Sequence, residues 1–219
     1  VTDTAVSTRD RILSTAERMF AAHGLEGVSL RQLTAEAGVN LAAVNYHFGS
    51  KDRLVHEIFS RRLDRLNEER LAALEQLLAR GRFELPELLA AFVDPALDLA
   101  LDPGGGQLFM RVLAHAYAER NEGLRDFLAQ RYGHVLRRFV DAFAALLPHL
   151  DRETLYWRLD FVAGALVYAM AEFGVMRRRP GQTAEAYRRR ASEQLVAFAV
   201  AGLSAHPPDP HSREGAPPS

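Results

Sequence analysis

Apolar positions recur at helical spacing from one end of this chain to the other, and no segment sustains the alternation of a strand. Arg9 to His23 carries Ile12, Leu13, Ala16, Met19 and Phe20 on one face, with Gly24 as its stop. A short helix follows from Ser29, an N-cap with Gln32 in capping-box register; its apolar side is Leu30, Leu33 and Ala37 before Gly38 ends it. Val39 to Phe48 then fits a turn and a second short helix into small and polar side chains, closed by Gly49. Two short helices around a glycine turn, the second with few bulky aliphatics on its outer side, form a helix-turn-helix. Leu33, Val44 and Phe48 are expected in its core with Ile12, Leu13 and Phe20.

The all-α pattern continues. A long helix is predicted from the N-cap Ser50 to about Arg80, tying the first region to the rest, and Gly81 and Arg82 break it. Glu84 to Leu101 follows, with Pro86 tolerated in its first turn. Asp102-Pro103-Gly104-Gly105-Gly106 is the strongest loop signal. The remaining helices are Gln107 to Glu119, Asn121 to Leu147 behind its own N-cap, Asp151 to about Arg179, and Thr183 to Ala205. The Pro-rich tail from His206 to Ser219 is expected to be disordered. In the helix from Asp151, Leu155, Leu159, Val162, Leu166, Met170 and Phe173 make one face, while Phe161, Ala165 and Tyr168 cover another. Its middle is therefore wanted inside on more than one side and needs two partners. The last helix offers Leu195, Val196, Ala199 and Leu203 in a stripe, with Phe198 beside it.

Composition narrows the chemistry. With 219 residues, 48% hydrophobic and 25% charged, the chain can bury one substantial core plus a small satellite domain. There is no cysteine, which excludes disulfides and thiolate sites. His115 and Glu119 are spaced as helix-borne metal ligands, but two ligands do not make a site, so neither metal nor cofactor is expected. No serine sits in a strand-turn-helix elbow, and Gly104 to Gly106 lacks both a preceding strand and a following Lys-Ser or Lys-Thr, so an enzyme is not expected. A polar start without a signal-peptide pattern, and an apolar run at Phe161 to Ala171 too short to span a bilayer, lead to an expected cytoplasmic location without a membrane partner. Through Arg53, the basic residues Arg9, Arg11, Arg18, Arg31, Lys51 and Arg53 are cancelled by Asp3, Asp10, Glu17, Glu26, Glu36 and Asp52. Any grip on nucleic acid must come from where groups point rather than from net charge.

From about Arg9 to Phe59 the order of elements, and above all Tyr46-His47-Phe48 followed by Ser50-Lys51, resembles the N-terminal DNA-binding domain of the TetR family of bacterial transcriptional repressors. Val39 to Lys51 is most similar to a subgroup around PsrA, regulators of fatty-acid metabolism. The resemblance implies a three-helix helix-turn-helix domain at 8–52, a helical effector-binding and dimerisation body at 53–205, and the tail at 206–219. It further implies a homodimer that represses transcription on a palindromic double-stranded DNA operator and is released by a hydrophobic small molecule, a fatty acid or acyl-CoA.

On the outer side of the recognition helix, Ala42 and Ala43 let it sit deep and offer methyls to thymine, while Asn45 can pair bidentately with adenine. Tyr46 and His47 look like the family's phosphate contacts. Ser29 and Lys51 stand at helix starts, where the dipole favours a phosphate. Arg31 matches a position where some members touch a base, and Leu41 departs from members that carry a polar residue there. In the body, Phe92, Phe109, Met110, Leu113 and His115 lie on helices that enclose the pocket in relatives, as do Tyr117, Trp157, Phe161 and Tyr168; Arg111 or His115 is a candidate for meeting a carboxylate head group. Leu159, Leu166 and Met170, with Leu195, Val196, Ala199 and Leu203, are the candidates for a four-helix dimer interface. Which face of the helix from Asp151 serves the pocket and which the dimer stays open. So does a dimeric DNA-binding or scaffold protein without an effector: an apolar void with one polar anchor supports a sensor, a filled core the scaffold.

Overall fold

The computed structural model describes residues 7–170 and 178–206. Among these residues every regular element is helical: α1 (Thr8–His23), α2 (Leu30–Ala37), α3 (Leu41–Phe48), α4 (Lys51–Arg80), α5 (Leu85–Leu101), α6 (Gly106–Glu119), α7 (Glu122–Leu146), α8 (Arg152–Met170) and α9 (Ala184–Ser204). Capping side chains set where most of them begin. Ser7, Ser29, Asn40, Ser50, Asn121 and Thr183 each accept a hydrogen bond from a first-turn N–H. Before α2 the capping box is complete, with the Ser29 N–H donating to Gln32 Oε1 at 2.9 Å while the Gln32 N–H donates back to Ser29 Oγ. Gly38 stops α2 in the left-handed region, at φ 62°.

Helices α1 to α3 form a small head in which Ile12, Leu13, Phe20, Leu33, Val44 and Phe48 are buried together. Helix α4 extends that core with Leu54, Val55, Ile58 and Phe59, and then enters the body, where Leu66 and Leu74 are buried. Phe59 meets Phe109 of α6 edge-on at 5.2 Å, so the two cores are continuous at this point. Helix α7 lies along α4, held by Arg131 and Tyr132, which both donate to Asp64, and by Arg138, which donates to Glu75. Helix α9 packs on α5, with Arg188 paired to Asp98 and the Ser192 hydroxyl donating to Asp94 at 2.6 Å. Arg158 of α8 closes the end of α9 by donating to the carbonyls of Gly202, Leu203 and Ala205, which have no helical partner among the described residues.

The helix expected to reach Arg179 is described to Met170. Residues 171–177, Phe173 among them, lie outside the described residues, and Arg178 and Arg179 stand outside any helix. The tail expected to be disordered likewise lies outside them, apart from His206.

Apart from Trp157, which is exposed yet borders the cavity, the two faces of α8 take the opposite parts to those suggested by the candidate residues. Leu159, Leu166 and Met170, candidates for a surface between protomers, are buried inside the chain with Leu155 and Val162. Trp157, Phe161 and Tyr168 turn outward, 58%, 63% and 53% exposed. The physical reason is tertiary: both stripes are apolar, and the helices packed around α8 cover the one that carries Leu159, Leu166 and Met170. On α9, Ala199 and Leu203 are buried in the chain, Leu195 and Val196 are half-buried, and Phe198 points out. No helix among the described residues is long and apolar enough to cross a membrane.

The α4–α7 tie carries a pH signature. Hydrogen bonds from Arg131, and then from Tyr132, hold the Asp64 carboxyl below its ordinary value of 3.8. A carboxyl depressed by folding stabilises above its unfolded value and loses that contribution as pH falls through the folded one. Acid titration of unfolding should therefore show a decline below about pH 4 that Asp64→Asn makes shallower, with no change in its slope above about pH 6.

Candidate nucleic-acid interface and ligand cavity

Helix α3 buries Val44 and Phe48 and leaves the rest of its surface outward. Leu41, Ala42, Asn45 and Tyr46 are exposed, Tyr46 at 85%, whereas Ala43 and His47 are half-buried. The Tyr46 and His47 rings lie edge to face at 5.1 Å, side by side on one rim of the head. Lys51 begins the next helix beyond Gly49, and neither Lys51 nor Arg31 enters an ion pair among the described residues. The first-turn N–H groups of Lys51 and Asp52 have no acceptor among the described residues, because Ser50 takes those of Arg53 and Leu54. The Ser29 hydroxyl is already committed to its capping box. What remains exposed on α3 is a set of small and amphipathic groups, Leu41, Ala42, Asn45 and Tyr46.

The body holds an apolar cavity of about 870 Å³ between α4, α5, α6, α7 and α8. That volume lies within the ~300–1,000 Å³ typical of small-molecule sites. Of the nine large side chains that the sequence offers as lining, Phe92, Met110, Leu113, Tyr117 and Trp157 line it. The other four do not. Phe109 is sealed in the core against Phe59, and Phe161 and Tyr168 face out from α8. His115 sits instead beside Gly24, at the joint with the head. The wall is completed by Leu159, Leu166 and Met170, the same residues that leave the surface of α8. Arg111 is exposed and does not reach the cavity; the cation that does is Arg70 of α4, whose Nε–H donates to the Phe92 carbonyl at 2.8 Å. Burial pulls the Arg70 pKa down to about 10, so at neutral pH it remains charged.

Head and body meet through α6 and α4. Glu119, at the last position of α6, accepts the backbone N–H of Leu25 at 3.1 Å and of Glu26 at 3.3 Å, in the turn that links α1 to α2. Gly24 makes room for it: a Cβ there would stand 2.1 Å from a Glu119 oxygen, on a backbone with φ +77°. On α4, Arg62 donates to Glu17 of α1, to Asp102 and to the Gly104 carbonyl, at 3.3, 2.9 and 2.6 Å. No group of three or more metal-ligating side chains occurs among the described residues.

Comparison with known proteins agrees with this two-part construction. Residues 12–58 match the family model for bacterial regulatory proteins of the tetR family, and residues 90–202, more than half the chain, match that for the tetracyclin repressor-like C-terminal domain. The chain belongs to the TetR family. Among curated relatives of this TetR-family chain, the transcriptional repressor AcnR of Corynebacterium efficiens is 35% identical over 89 residues, covering 39% of this chain and 45% of AcnR. The chain thus spans less than half the length of that relative. The repressor KstR2 of Mycolicibacterium smegmatis is 28% identical over 158 residues, 68% of this chain and 73% of KstR2. The family and these relatives are transcriptional regulators, not enzymes. The fold is shared with the TetR-family regulator PfmR from Thermus thermophilus, at a TM-score of 0.57 and 21% identity over 93% of this chain and 99% of that one. It is also shared with Mycobacterium smegmatis AmtR, at a TM-score of 0.56 and 19% identity over 94% and 99%.

Sequence reasoning missed the two polar groups that organise this TetR-family body. Arg70 lies in the run Asn67-Glu68-Glu69-Arg70, which reads as a solvated helix face, and Glu119 stands out in the sequence only through its spacing from His115. The distance of Glu119 along the chain from a glycine nearly a hundred residues away leaves no local signal. Because Leu25 is 1% exposed, removing the Glu119 carboxylate leaves its N–H without an acceptor. Glu119→Ala should cost about 1–3 kcal/mol in urea unfolding and accelerate hydrogen exchange at the Leu25 amide ahead of amides in the α1 core.

Proposed function

We propose that this TetR-family chain is a ligand-responsive repressor that binds a palindromic operator as a homodimer and releases it when a hydrophobic small molecule fills the cavity. One observation carries the reading: the helices that wall the cavity, α4 and α6, are the helices that hold the head. Leu63, Leu66 and Arg70 of α4 and Met110, Leu113 and Tyr117 of α6 face the void, while Arg62 and Glu119 on the same two helices grip α1 and the turn after it. An occupant that spreads the walls therefore displaces the head. A fatty acid or acyl-CoA is the effector favoured by the apolar lining and by the resemblance of Val39 to Lys51 to the subgroup around PsrA. In this reading residues 8–52 act as the DNA-binding unit and 53–205 as the effector-binding and dimerisation unit. The outward stripes of α8 and α9, with Phe161, Tyr168 and Phe198 around the small Gly164, Ala201 and Gly202, supply the dimer surface in place of the buried Leu159, Leu166 and Met170.

On DNA, Ala42, Ala43 and Asn45 address base edges, with Arg31 reaching in from α2. Tyr46, His47 and Lys51 hold phosphates, and the start of α2 at Ser29 contributes backbone N–H groups. Footprinting should reveal two related half-sites about 34–36 Å apart or a simple multiple of that; a single unpaired half-site rejects the dimeric reading. Asn45→Ala should cost about 1–3 kcal/mol at one base position, whereas Lys51→Ala should weaken binding to every sequence and lower the salt slope by about one. Equal losses on operator and random DNA for Asn45→Ala would remove it from base readout.

An effector acts only through its preference for one state, so coupling between cavity and operator must be reciprocal, of about 1–3 kcal/mol. Oleate and oleoyl-CoA are titrated into the free protein and into its operator complex, and whichever of them is the effector should bind the complex about 5–150-fold more weakly. Identical affinities would dismiss coupling. Failure of both compounds to bind would dismiss fatty acyl effectors and leave the DNA-binding reading in place.

A further inference from the structure

The environment of Arg70 distinguishes it from the arginines around it. Along the same helix and its neighbours, Arg62 is paired with Glu17 and Asp102, Arg131 with Asp64, Arg138 with Glu75, and Arg188 with Asp98. Arg70 has no carboxylate partner among the described residues. Its guanidinium lies over the Phe92 ring, 3.9 Å from the ring centre, and spends one N–H on the Phe92 carbonyl. Pro95 lies one turn further along α5; it has no N–H for the Ala91 carbonyl, the one next to the Phe92 carbonyl on which Arg70 docks. The docking anchors the guanidinium at its Nε and leaves the N–H groups at its far end unspent. None of these is a sealed, unpartnered atom, so they look onto the open space beside them, which is the cavity.

Among the described residues, Arg70 is the one cation on that wall. The acidic groups of the lining, Glu153 and Asp160, are both exposed positions of α8, at the mouth beside Tyr156 and Trp157. A molecule with an anionic end meets repulsion at the mouth and an unmatched cation at the back, in a low-dielectric setting where a charge pair is worth most.

We propose that the cavity takes a free carboxylic acid with an apolar body, entering charged end first, its carboxylate held by the two terminal nitrogens of Arg70 and its hydrocarbon against Phe92, Met110, Leu113 and Trp157. This rests on the effector reading above and makes it specific: a fatty acid fits, whereas its coenzyme A thioester has no carboxylate to offer and carries its phosphates to the acidic mouth. The pull of burial on Arg70 is consistent with a charge kept for a partner that comes and goes.

The test uses the full chain and two matched pairs of probes, oleate with oleyl alcohol, and 8-anilinonaphthalene-1-sulfonate with its uncharged counterpart N-phenyl-1-naphthylamine. Trp157, the only tryptophan, stands at the mouth and reports occupancy by fluorescence. The unaltered protein should prefer the anion of each pair by about 10–100-fold. Arg70→Met should abolish that preference while leaving the neutral probes unaffected, and Arg70→Lys should restore part of it. The melting temperature of the ligand-free Arg70→Met protein should stay level or rise, because an unpaired desolvated cation is gone; a residue kept only to cap the Phe92 carbonyl would lower it on removal. The proposal is overturned if the unaltered protein shows no preference for the anions, or if Arg70→Met keeps the preference. Oleate and oleyl alcohol failing to bind while the naphthalene pair discriminates through Arg70 would retain the anion anchor and discard the fatty acyl effector. Oleate releasing DNA equally from unaltered and Arg70→Met protein would retain the effector and discard the anchor.

Discussion

Because α4 runs without interruption from the edge of the head to the wall of the cavity, neither region can settle its packing independently of the other. At 30 residues it is about 45 Å long, and its backbone hydrogen bonds make it stiff over that distance. Leu54 to Phe59 must fit the head while Leu66 and Leu74 fit the body, so a rotation that suits one core is felt in the other. Everything that touches this helix from the side, Arg62 with its three partners, Phe59 against Phe109, and Arg131 on Asp64, then becomes part of one mechanical unit.

Local chemistry makes the head legible in the sequence. Ser29 with Gln32, Gly38, Asn40, Gly49 and Ser50 are caps and stops whose effect is spent within a few residues, and the helices begin and end where those residues say. The body was legible as a set of helices and much less so as an arrangement of them. Helix α8 shows why: both its stripes are apolar, and periodicity alone cannot tell an interior from a surface that another chain will cover. Only the positions of α6, α7 and α9 around it decide that Leu159 and Leu166 face in while Phe161 and Tyr168 face out.

The polar groups that give the body its character were hidden for a different reason. A guanidinium on a charged helix segment is ordinarily solvated, and what makes Arg70 internal is the approach of α5, with Phe92 beneath it. The side chain is long enough to leave one helix and finish on another, so its address is set by tertiary packing rather than by its place in the run of residues. Arg111 and His115, nearer in sequence to the aromatic lining, are carried elsewhere by the turn of α6: one to solvent, the other to the joint with the head.

That joint is keyed by an empty place. The carboxylate of Glu119 occupies the volume that any side chain at position 24 would need, so the contact depends on what the head lacks as much as on what the body presents. The arrangement limits how freely the two parts can be exchanged. A head borrowed from another protein would seat on this body only if its own first turn left the same space vacant, and a body without an acid at the end of α6 would accept heads that this one rejects.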